Sequence, residues 1–191
     1  MAHRAGGLTM IDPAVARRIR LLVLDVDGVL TDNGIYLGPV DGRRVELKRF
    51  DIHDGLGLGL LRGGPITVAW LSARFSEATA LRAEELRIPI LVQDSGARKV
   101  PALAAILAEQ GLAWDEVAFV GDDLADLGVM ERVGLAIAVA NAVDEIKAVA
   151  HWTTRREGGH GAVREVVEAL LKARGEWDGA VHQYRAARET A

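Results

Sequence analysis

The chain has 191 residues, with 23 Lys and Arg against 27 Asp and Glu, so its formal net charge is -4. Half of its residues are hydrophobic and 26% are charged, as in an ordinary soluble domain. The acidic balance argues against a general nucleic-acid-binding protein. No apolar stretch is long enough to span a bilayer, and the first twenty residues lack the apolar segment of a secretory signal. Cysteine is absent, which excludes thiolate chemistry, and we expect a cytoplasmic protein.

Strands and helices are predicted to alternate along most of the chain. Short apolar runs typical of buried strands occupy residues 21–24, 66–71, 88–92, 117–120 and 135–139, with a short final strand at 152–153. Segments with helical spacing occupy residues 13–20, 56–61, 77–86, 99–110, 124–133, 142–150 and 162–173. This alternation indicates βαβ units, so the predicted fold class is α/β with a doubly wound, Rossmann-like parallel sheet.

Three parts of the chain are predicted to differ in organisation. Residues 1–20 form an N-terminal tail, frayed over 1–7, and a short helix, whereas 21–175 form the domain. Residues 176–191 are a polar, weakly patterned tail for which we predict no function. Within the domain, strand-like residues near Asn33-Gly34 and the turn at 39–42 predict a β-hairpin flap at about residues 32–50. Because it follows the first strand directly, this flap is expected to overhang the end of that strand.

Polar side chains stand where the predicted strands end. Asp25 and Asp27 come directly after the first strand, Ser72 follows the second, and Asp122 follows the fourth. Lys99 begins the helix after the third strand. Each residue alone also fits a helix cap, a turn or a solvated charge. Ligands of open α/β sheets bind outside the carboxyl ends of the strands, so their common position favours one shared site.

The chemistry that suits these side chains is phosphoryl transfer. Asp25 is the expected nucleophile, which forms an aspartyl-phosphate and so divides one difficult displacement into two easier ones. Asp27 is expected to protonate the leaving oxygen and then to deprotonate the attacking water. Ser72 and Lys99 are expected to bind the equatorial phosphate oxygens, and Asp126 is expected to orient Lys99.

Carboxylates this close together also predict a bound cation. Two like charges repel unless a cation lies between them, and oxygen ligands suit a hard ion such as Mg2+. From the residues alone we expect Mg2+ to be held by Asp25, Asp122 and a backbone carbonyl near Asp27, with Asp123 supporting those ligands. The ion would neutralise charge between the nucleophile and the phosphate.

The motifs DVDGVLTD, Ser72, Lys99 and GDDLAD resemble the four signature motifs of the haloacid dehalogenase superfamily of phosphatases. Three longer segments narrow the resemblance: GIYL…LKRFDIHDG, LSARFSEATALRAEEL and GGHGAVREVVEALL. They are similar to segments of the 3-deoxy-D-manno-octulosonate 8-phosphate phosphatases. The similarity covers roughly residues 21–175, which is nearly the whole predicted domain.

This resemblance implies a phosphatase without a cap domain, in which the hairpin flap takes the place of the cap. It also implies homotetramers in which a neighbouring subunit helps to close the active site. The metal positions that it implies are Asp25, Asp27 and Asp122. The substrate positions that it implies would contact a keto-sugar acid and its phosphate, and they are Asp27, Asp51, Ile52, His53, Asp54, Gly55, Arg74, Arg82 and Lys99.

The chain departs from the family pattern around the predicted substrate rather than at the acids. The family's Thr-Gly-Arg is Ser72-Ala73-Arg74 here. Three arginines of the family pattern are replaced by His53, Gly59 and His160. The expected substrate is 3-deoxy-D-manno-octulosonate 8-phosphate, and these replacements leave the exact sugar acid open.

Three other functions are compatible with parts of the pattern. The first is the same chemistry on a nine-carbon nonulosonate 9-phosphate. The second is a non-catalytic oligomerisation module of the kind attached to sialic-acid cytidylyltransferases, which the intact set of acids, serine and lysine disfavours. The third is a receiver-like signalling domain, which the flap and the GDDLAD motif disfavour.

Overall fold

The computed structural model describes residues 11–189, so the predicted tail at 1–7 lies outside the described residues. Eight strands occur in this range: β1 (Leu21–Leu24), β2 (Tyr36–Val40), β3 (Arg43–Leu47), β4 (Thr67–Ser72), β5 (Ile90–Gln93), β6 (Val117–Gly121), β7 (Leu135–Ala138) and β8 (Trp152–Thr153). The α-helices of the same range are α1 (Pro13–Arg18), α2 (Ile52–Leu60), α3 (Glu77–Glu85), α4 (Lys99–Gln110), α5 (Leu127–Met130), α6 (Asp144–Val149), α7 (Ala162–Arg174) and α8 (Trp177–Glu189).

The main sheet has six strands in the order β5-β4-β1-β6-β7-β8, and all neighbouring pairs are parallel. This confirms the predicted doubly wound α/β fold. Strand β1 lies between β4 and β6, and its four residues are fully buried. Leu24 at its end is in register with Trp70 and Val120. The carboxyl ends of these three strands therefore lie side by side.

Two groups of helices pack around the sheet. Helix α7 contacts α1, α2 and α8, whereas α5 contacts α4 and α6. In α7 the buried residues Val163, Val166, Val167, Leu170 and Leu171 recur at helical spacing and form one apolar stripe. This stripe explains why the sequence predicted α7 with nearly correct bounds.

Helix α2 begins earlier than predicted. The predicted start at residue 56 was wrong, because Asp51 acts as the N-cap and its carboxylate accepts a 2.7 Å hydrogen bond from the amide of His53. Glycines within the segment weakened the helical pattern, and the cap was not recognised. The residues implied as substrate contacts at 52–55 therefore form the first turn of a helix.

Helix α8 occupies most of the segment predicted to be an unpatterned tail. Its first residue, Trp177, lies under the guanidinium of Arg164 and the ammonium of Lys172, both from α7. Helix α8 also contacts α2. Packing against α7 and α2 stabilises a helix whose own sequence is mostly polar, and such packing cannot be read from local periodicity.

The β2–β3 hairpin forms a separate two-stranded antiparallel sheet, as predicted for the flap. Its turn consists of Asp41 and Gly42, both with positive φ, which suits the twist of a two-residue hairpin. A single bridge between Thr31 and Phe50 fastens the base of the hairpin to the segment after β1. The segment between β1 and α2 contains this hairpin and no larger insert, as expected for a protein without a cap domain there. Among the helices that the structure describes, none combines the length and the apolarity needed to traverse a bilayer.

Candidate active site

The turn after β1 places Asp25 against the neighbouring strand β6. The amide of Asp25 donates a 3.0 Å hydrogen bond to the carbonyl of Val120 at the end of β6. Three residues later the chain passes beside Asp122, where Gly28 has φ of +93° and a Cβ would lie 1.9 Å from the Asp122 carboxylate. Glycine is therefore required at position 28, both for its backbone angle and for the close approach.

Four buried charged groups meet at this edge of the sheet. Carboxylate oxygens of Asp25, Asp122 and Asp126 lie within 4.8 Å of one another. The Nζ of Lys99 lies 2.6 Å from Oδ1 of Asp25 and 2.5 Å from Oδ1 of Asp126. Oδ2 of Asp126 accepts a 3.0 Å hydrogen bond from the amide of Asp122. Asp126 thus holds Lys99 beside Asp25, in the arrangement that its predicted orienting role requires.

The electrostatics of this cluster suit a divalent cation. Burial raises the pKa of Asp25 well above its usual range, and the adjacent carboxylate of Asp126 raises it further. Burial likewise raises the pKa of Asp122 to about 7, again with a contribution from Asp126. Burial alone would lower the pKa of Lys99, but the two carboxylates outweigh it and the pKa is raised. Oδ1 of Asp122 is buried without a hydrogen-bond partner. Three carboxylates with one ammonium and an unpaired oxygen suit a hard divalent ion.

Asp27 points away from this cluster and toward the flap. Its Oδ1 lies 2.6 Å from Nζ of Lys48, whose side chain is fully buried, and its Oδ2 lies 3.8 Å from Arg74. The structure therefore does not bring the Asp27 carboxylate into the acid cluster with Asp25 and Asp122, and a metal contact through its backbone carbonyl stays a prediction. The carboxylate that joins the cluster instead is Asp126, whose two oxygens are already bonded.

Glu46 links the flap to helix α3. Its Oε2 lies 2.9 Å from Arg74, and its Oε1 accepts a 2.6 Å hydrogen bond from the hydroxyl of Ser76. Although burial acts to raise the pKa of Glu46, these two hydrogen bonds hold it below its ordinary value. Sequence reasoning missed both Glu46 and Lys48. The available signal was the alternation of residues 45–50, which places positions 46 and 48 on one face of the hairpin.

Ser72 lies at the carboxyl end of β4, where prediction placed it. Its hydroxyl accepts a 3.1 Å hydrogen bond from the amide of Arg74 and donates a 2.9 Å hydrogen bond to the carbonyl of the same residue. This pair of bonds shapes the loop that carries Arg74 toward Asp27. Contact between the Ser72 hydroxyl and a phosphate stays a prediction.

The residues implied as substrate contacts at the start of α2 separate into two groups. Ile52 and His53 are exposed, and Nδ1 of His53 lies 3.2 Å from Asp51. Asp54 instead faces α7, where its Oδ1 accepts a 2.7 Å hydrogen bond from the amide of Arg164. Burial raises the pKa of Asp54 to about 6. Asp54 therefore links α2 to α7.

Gly55 and Arg82 lie against each other at the base of the flap. A Cβ at Gly55 would lie 2.7 Å from a terminal nitrogen of Arg82. That guanidinium also packs over the ring of Phe50 and lies 3.5 Å from the carbonyl of Asp51. Arg82 is thus a mostly buried residue, which distinguishes it from an ordinary arginine on a helix surface.

The glycine-rich segment before α7 packs directly on the turn after β1. A Cβ at Gly158 would lie 1.7 Å from the carbonyl oxygen of Gly28, which leaves room for glycine alone. The amide of Gly159 donates a 3.0 Å hydrogen bond to Val29, and its carbonyl accepts a 2.6 Å hydrogen bond from Arg49 of the flap base. This segment thus supports the acid-bearing turn.

Comparisons with known proteins agree with this geometry. The sequence profile of the haloacid dehalogenase-like hydrolase family matches residues 70–166. The 3-deoxy-D-manno-octulosonate 8-phosphate phosphatase of Escherichia coli strain K12 is 43% identical over 170 residues, which cover 89% of this chain and 88% of that protein. This chain belongs to the 3-deoxy-D-manno-octulosonate 8-phosphate phosphatase family of haloacid dehalogenase-like hydrolases. The resemblance found from its motifs is confirmed.

Solved structures of this phosphatase family have the same fold. The Moraxella catarrhalis phosphatase, crystallised with a magnesium ion, a phosphate ion and a KDO molecule, superposes with a TM-score of 0.83 at 36% identity, over 90% of this chain and 97% of that one. A probable YrbI family phosphatase of Pseudomonas syringae gives the same TM-score at 42% identity, over 90% of this chain and 96% of that one.

Proposed function

We propose that this protein is a Mg2+-dependent phosphatase that converts 3-deoxy-D-manno-octulosonate 8-phosphate to 3-deoxy-D-manno-octulosonate and phosphate. The observation that carries the proposal is the buried cluster of Asp25, Lys99, Asp122 and Asp126 at the carboxyl ends of β1 and β6. The identity to the Escherichia coli phosphatase and the ligands of the Moraxella structure support the same substrate class.

In the first half-reaction, a carboxylate oxygen of Asp25 attacks phosphorus. The new bond joins this oxygen to phosphorus, and the bond from phosphorus to the sugar oxygen breaks. Asp27 gives its proton to the departing sugar oxygen. Lys99 lies 2.6 Å from the attacking carboxylate, so its ammonium is placed to offset the charge that the phosphoryl oxygens bring to the site.

In the second half-reaction, water attacks the phosphorus of the aspartyl-phosphate. Asp27 now accepts the proton of that water, and the bond between phosphorus and the Asp25 oxygen breaks to release phosphate. One group thus serves as acid and then as base. Lys48 and Arg74 hold the two oxygens of Asp27 from the flap and from the loop after β4, which fixes the direction in which this carboxyl group points.

Mg2+ would be held by the carboxylates of Asp25 and Asp122 and by a backbone carbonyl near Asp27. The Oδ1 of Asp122 is buried without a hydrogen-bond partner, so it is free to act as one of the metal ligands. When bound, the ion supplies positive charge between the nucleophile and the phosphate. Asp126 is already bonded through both oxygens, so its proposed role is to position Lys99.

The test is Mg2+-dependent phosphate release from a panel of sugar phosphates. The panel contains 3-deoxy-D-manno-octulosonate 8-phosphate, nonulosonate 9-phosphates and hexose phosphates. Preference for the octulosonate supports the proposal, whereas preference for a nine-carbon acid keeps the chemistry and changes the substrate. If no substrate gives release that depends on Asp25, the enzyme proposal fails and a non-catalytic module becomes the better interpretation.

The proposal includes a homotetramer in the cytoplasm, with active sites at subunit interfaces. The flap supports the assembly, because Tyr36, Leu37, Val40 and Leu47 are each more than half exposed on one small hairpin. We expect Leu47→Glu to lower the mass measured by light scattering during size-exclusion chromatography. Leu81, an equally exposed leucine on α3, provides the control: Leu81→Glu should leave the mass unchanged. A monomeric parent protein would overturn this part of the proposal.

A further inference from the structure

A cavity of about 390 Å3 lies between α2, α3 and α8. Its volume is within the range of small-molecule binding sites. Leu56 and Leu60 of α2 supply apolar wall, and Gln183 and Tyr184 of α8 close the opposite side. The cavity exists because α8 packs across α2.

Three arginines line this cavity against one carboxylate. They are Arg62 after α2, Arg82 of α3 and Arg188 of α8, and the carboxylate is that of Glu85. Glu85 lies 2.7 Å from Arg82 and pairs with it. The lining therefore carries an excess of positive charge, which an anionic occupant would balance.

Each of these guanidinium groups retains N–H donors for a ligand. Arg62 donates a 2.7 Å hydrogen bond to the carbonyl of Leu86, and Arg188 donates a 3.1 Å hydrogen bond to the carbonyl of Tyr184. A guanidinium has five N–H donors, so these bonds fix the orientation of the two arginines without exhausting them. Nε of Arg82 is buried and has no hydrogen-bond partner. Such an unpaired donor is costly unless a ligand satisfies it.

Gly59 leaves this part of the cavity open. Apart from its chain neighbours and the backbone of its own helix, no atom lies within 4 Å of the position that its Cβ would take, so the space beside the arginines is not filled by a side chain of α2. Ile52 and Gly55, at the start of the same helix, also line the cavity. The cavity thus extends along α2 from the residues implied as substrate contacts to Arg62.

We propose that this cavity is a binding site for a small carboxylate anion and that Arg62 and Arg188 are determinants of its affinity. The planar fork of a guanidinium matches the two oxygens of a carboxylate, and the apolar wall accepts a compact carbon skeleton. Two sources can supply this carboxylate. It belongs either to the sugar acid that undergoes reaction or to a second sugar-acid molecule bound beside the reaction site.

The test measures binding of 3-deoxy-D-manno-octulosonate by isothermal titration calorimetry, with Mg2+ and inorganic phosphate present. Hydrogen bonds to charged groups contribute enough that Arg188→Ala or Arg62→Ala should weaken binding by about tenfold or more. The methyl ester of the sugar acid should bind the parent protein and Arg188→Ala equally. Arg185 provides the matched control, because it is an exposed arginine of α8 that pairs with Glu189 and does not line the cavity. Arg185→Ala should bind the acid as the parent protein does.

Equal affinity of the parent protein and both cavity variants would overturn the proposal, and so would equal affinity for the acid and its ester. Steady-state kinetics distinguish the two sources of the carboxylate. If KM rises in Arg188→Ala while kcat is unchanged, the carboxylate belongs to the reacting substrate. If KM is unchanged and inhibition by added sugar acid weakens, it belongs to a second molecule. Because binding is measured without turnover, this result does not depend on the Asp25-dependent release that tests the proposed function.

Discussion

The acid cluster and the flap face the same proposed substrate, but they are built in different ways. Asp25, Lys99 and Asp126 are nearly fully buried, and Lys99 bonds both carboxylates directly. Lys48 and Glu46 instead reach the site from a two-stranded hairpin outside the main sheet. Strand ends fix the cluster by backbone register, whereas long side chains in ion pairs fix the flap. Changes in the cluster should therefore abolish chemistry, and changes in the flap should alter its efficiency.

The largest expected effect is the loss of the proposed nucleophile, Asp25. Asp25→Asn should lower kcat by about a thousandfold or more, as removal of catalytic nucleophiles does in other enzymes. The rate of phosphate release with Mg2+ measures this fall in kcat, and circular dichroism checks that the variant is folded. The control is Asp115→Asn, since Asp115 is an exposed acid that precedes β6 at the opposite edge of the sheet. An active Asp25→Asn would contradict the assignment.

Lys48→Met tests whether the flap positions Asp27 through Lys48. The Asp27 carboxylate would lose its 2.6 Å contact, and hydrogen bonds to charged groups contribute about 1.5–3 kcal/mol, so kcat/KM should fall by roughly 10- to 100-fold. Lys48→Arg should recover part of the loss, because it keeps a cation beside Asp27. Arg44→Met, on the exposed part of the same hairpin, should have little effect. A similar loss in Arg44→Met would indicate general damage to the hairpin rather than loss of a positioning residue.

Asp54 tests whether a residue implied as a substrate contact has a structural role instead. Its folded pKa of about 6 exceeds the ordinary value of 3.8, so the native state binds more protons than the unfolded state between about pH 4 and 6. The free energy of unfolding contributed by this group therefore falls as pH rises through that window. Asp54→Asn keeps the oxygen that accepts from Arg164 and removes the charge. It should raise the free energy of unfolding at pH 7 by about 1–3 kcal/mol and change it little at pH 4.

Urea unfolding of the parent protein and of Asp54→Asn at both pH values measures this difference. The matched control is Asp115→Asn, which removes an exposed acid that precedes β6. This variant should unfold with the pH dependence of the parent protein. If the free energy of unfolding of Asp54→Asn depends on pH as that of the parent protein does, Asp54 is not the cause of this dependence.

The smallest expected effect concerns substrate preference. His53→Arg places a fixed positive charge on an exposed position beside Asp51. It should raise kcat/KM for the octulosonate phosphate by roughly threefold, as expected for an exposed ion pair, and leave a hexose phosphate unchanged. Gly59→Arg tests the second departure in the same way. If neither change raises kcat/KM for the octulosonate phosphate, this result argues against the octulosonate as the substrate.

The sequence predicted the acid cluster because its residues depend on short-range patterns. An apolar run predicts β1, and the residue after such a strand must lie at the edge of the sheet, so Asp25 and Asp122 could be placed without any tertiary information. The direction in which an individual side chain points could not be predicted in the same way. Asp27 turns to Lys48 and Asp54 turns to Arg164, and both choices depend on residues distant in the chain.

Helix α8 shows a second feature that could not be predicted from the sequence. Its sequence has no strong apolar stripe, and none of its residues is buried. It is held by aromatic and arginine contacts with α7 and by its position over α2. Prediction therefore left residues 176–191 without structure, and the cavity beneath α8 could not be anticipated.

The contact between Gly158 and Gly28 also constrains the order in which the enzyme can form. The turn that carries Asp25 is encoded near the beginning of the chain, but the segment that supports it precedes the last two helices. A nascent chain that has completed β1, and even β6, still lacks the backbone that packs against this turn. Contacts between such distant segments form late in folding. A working nucleophile should consequently arise only after synthesis has passed Gly158.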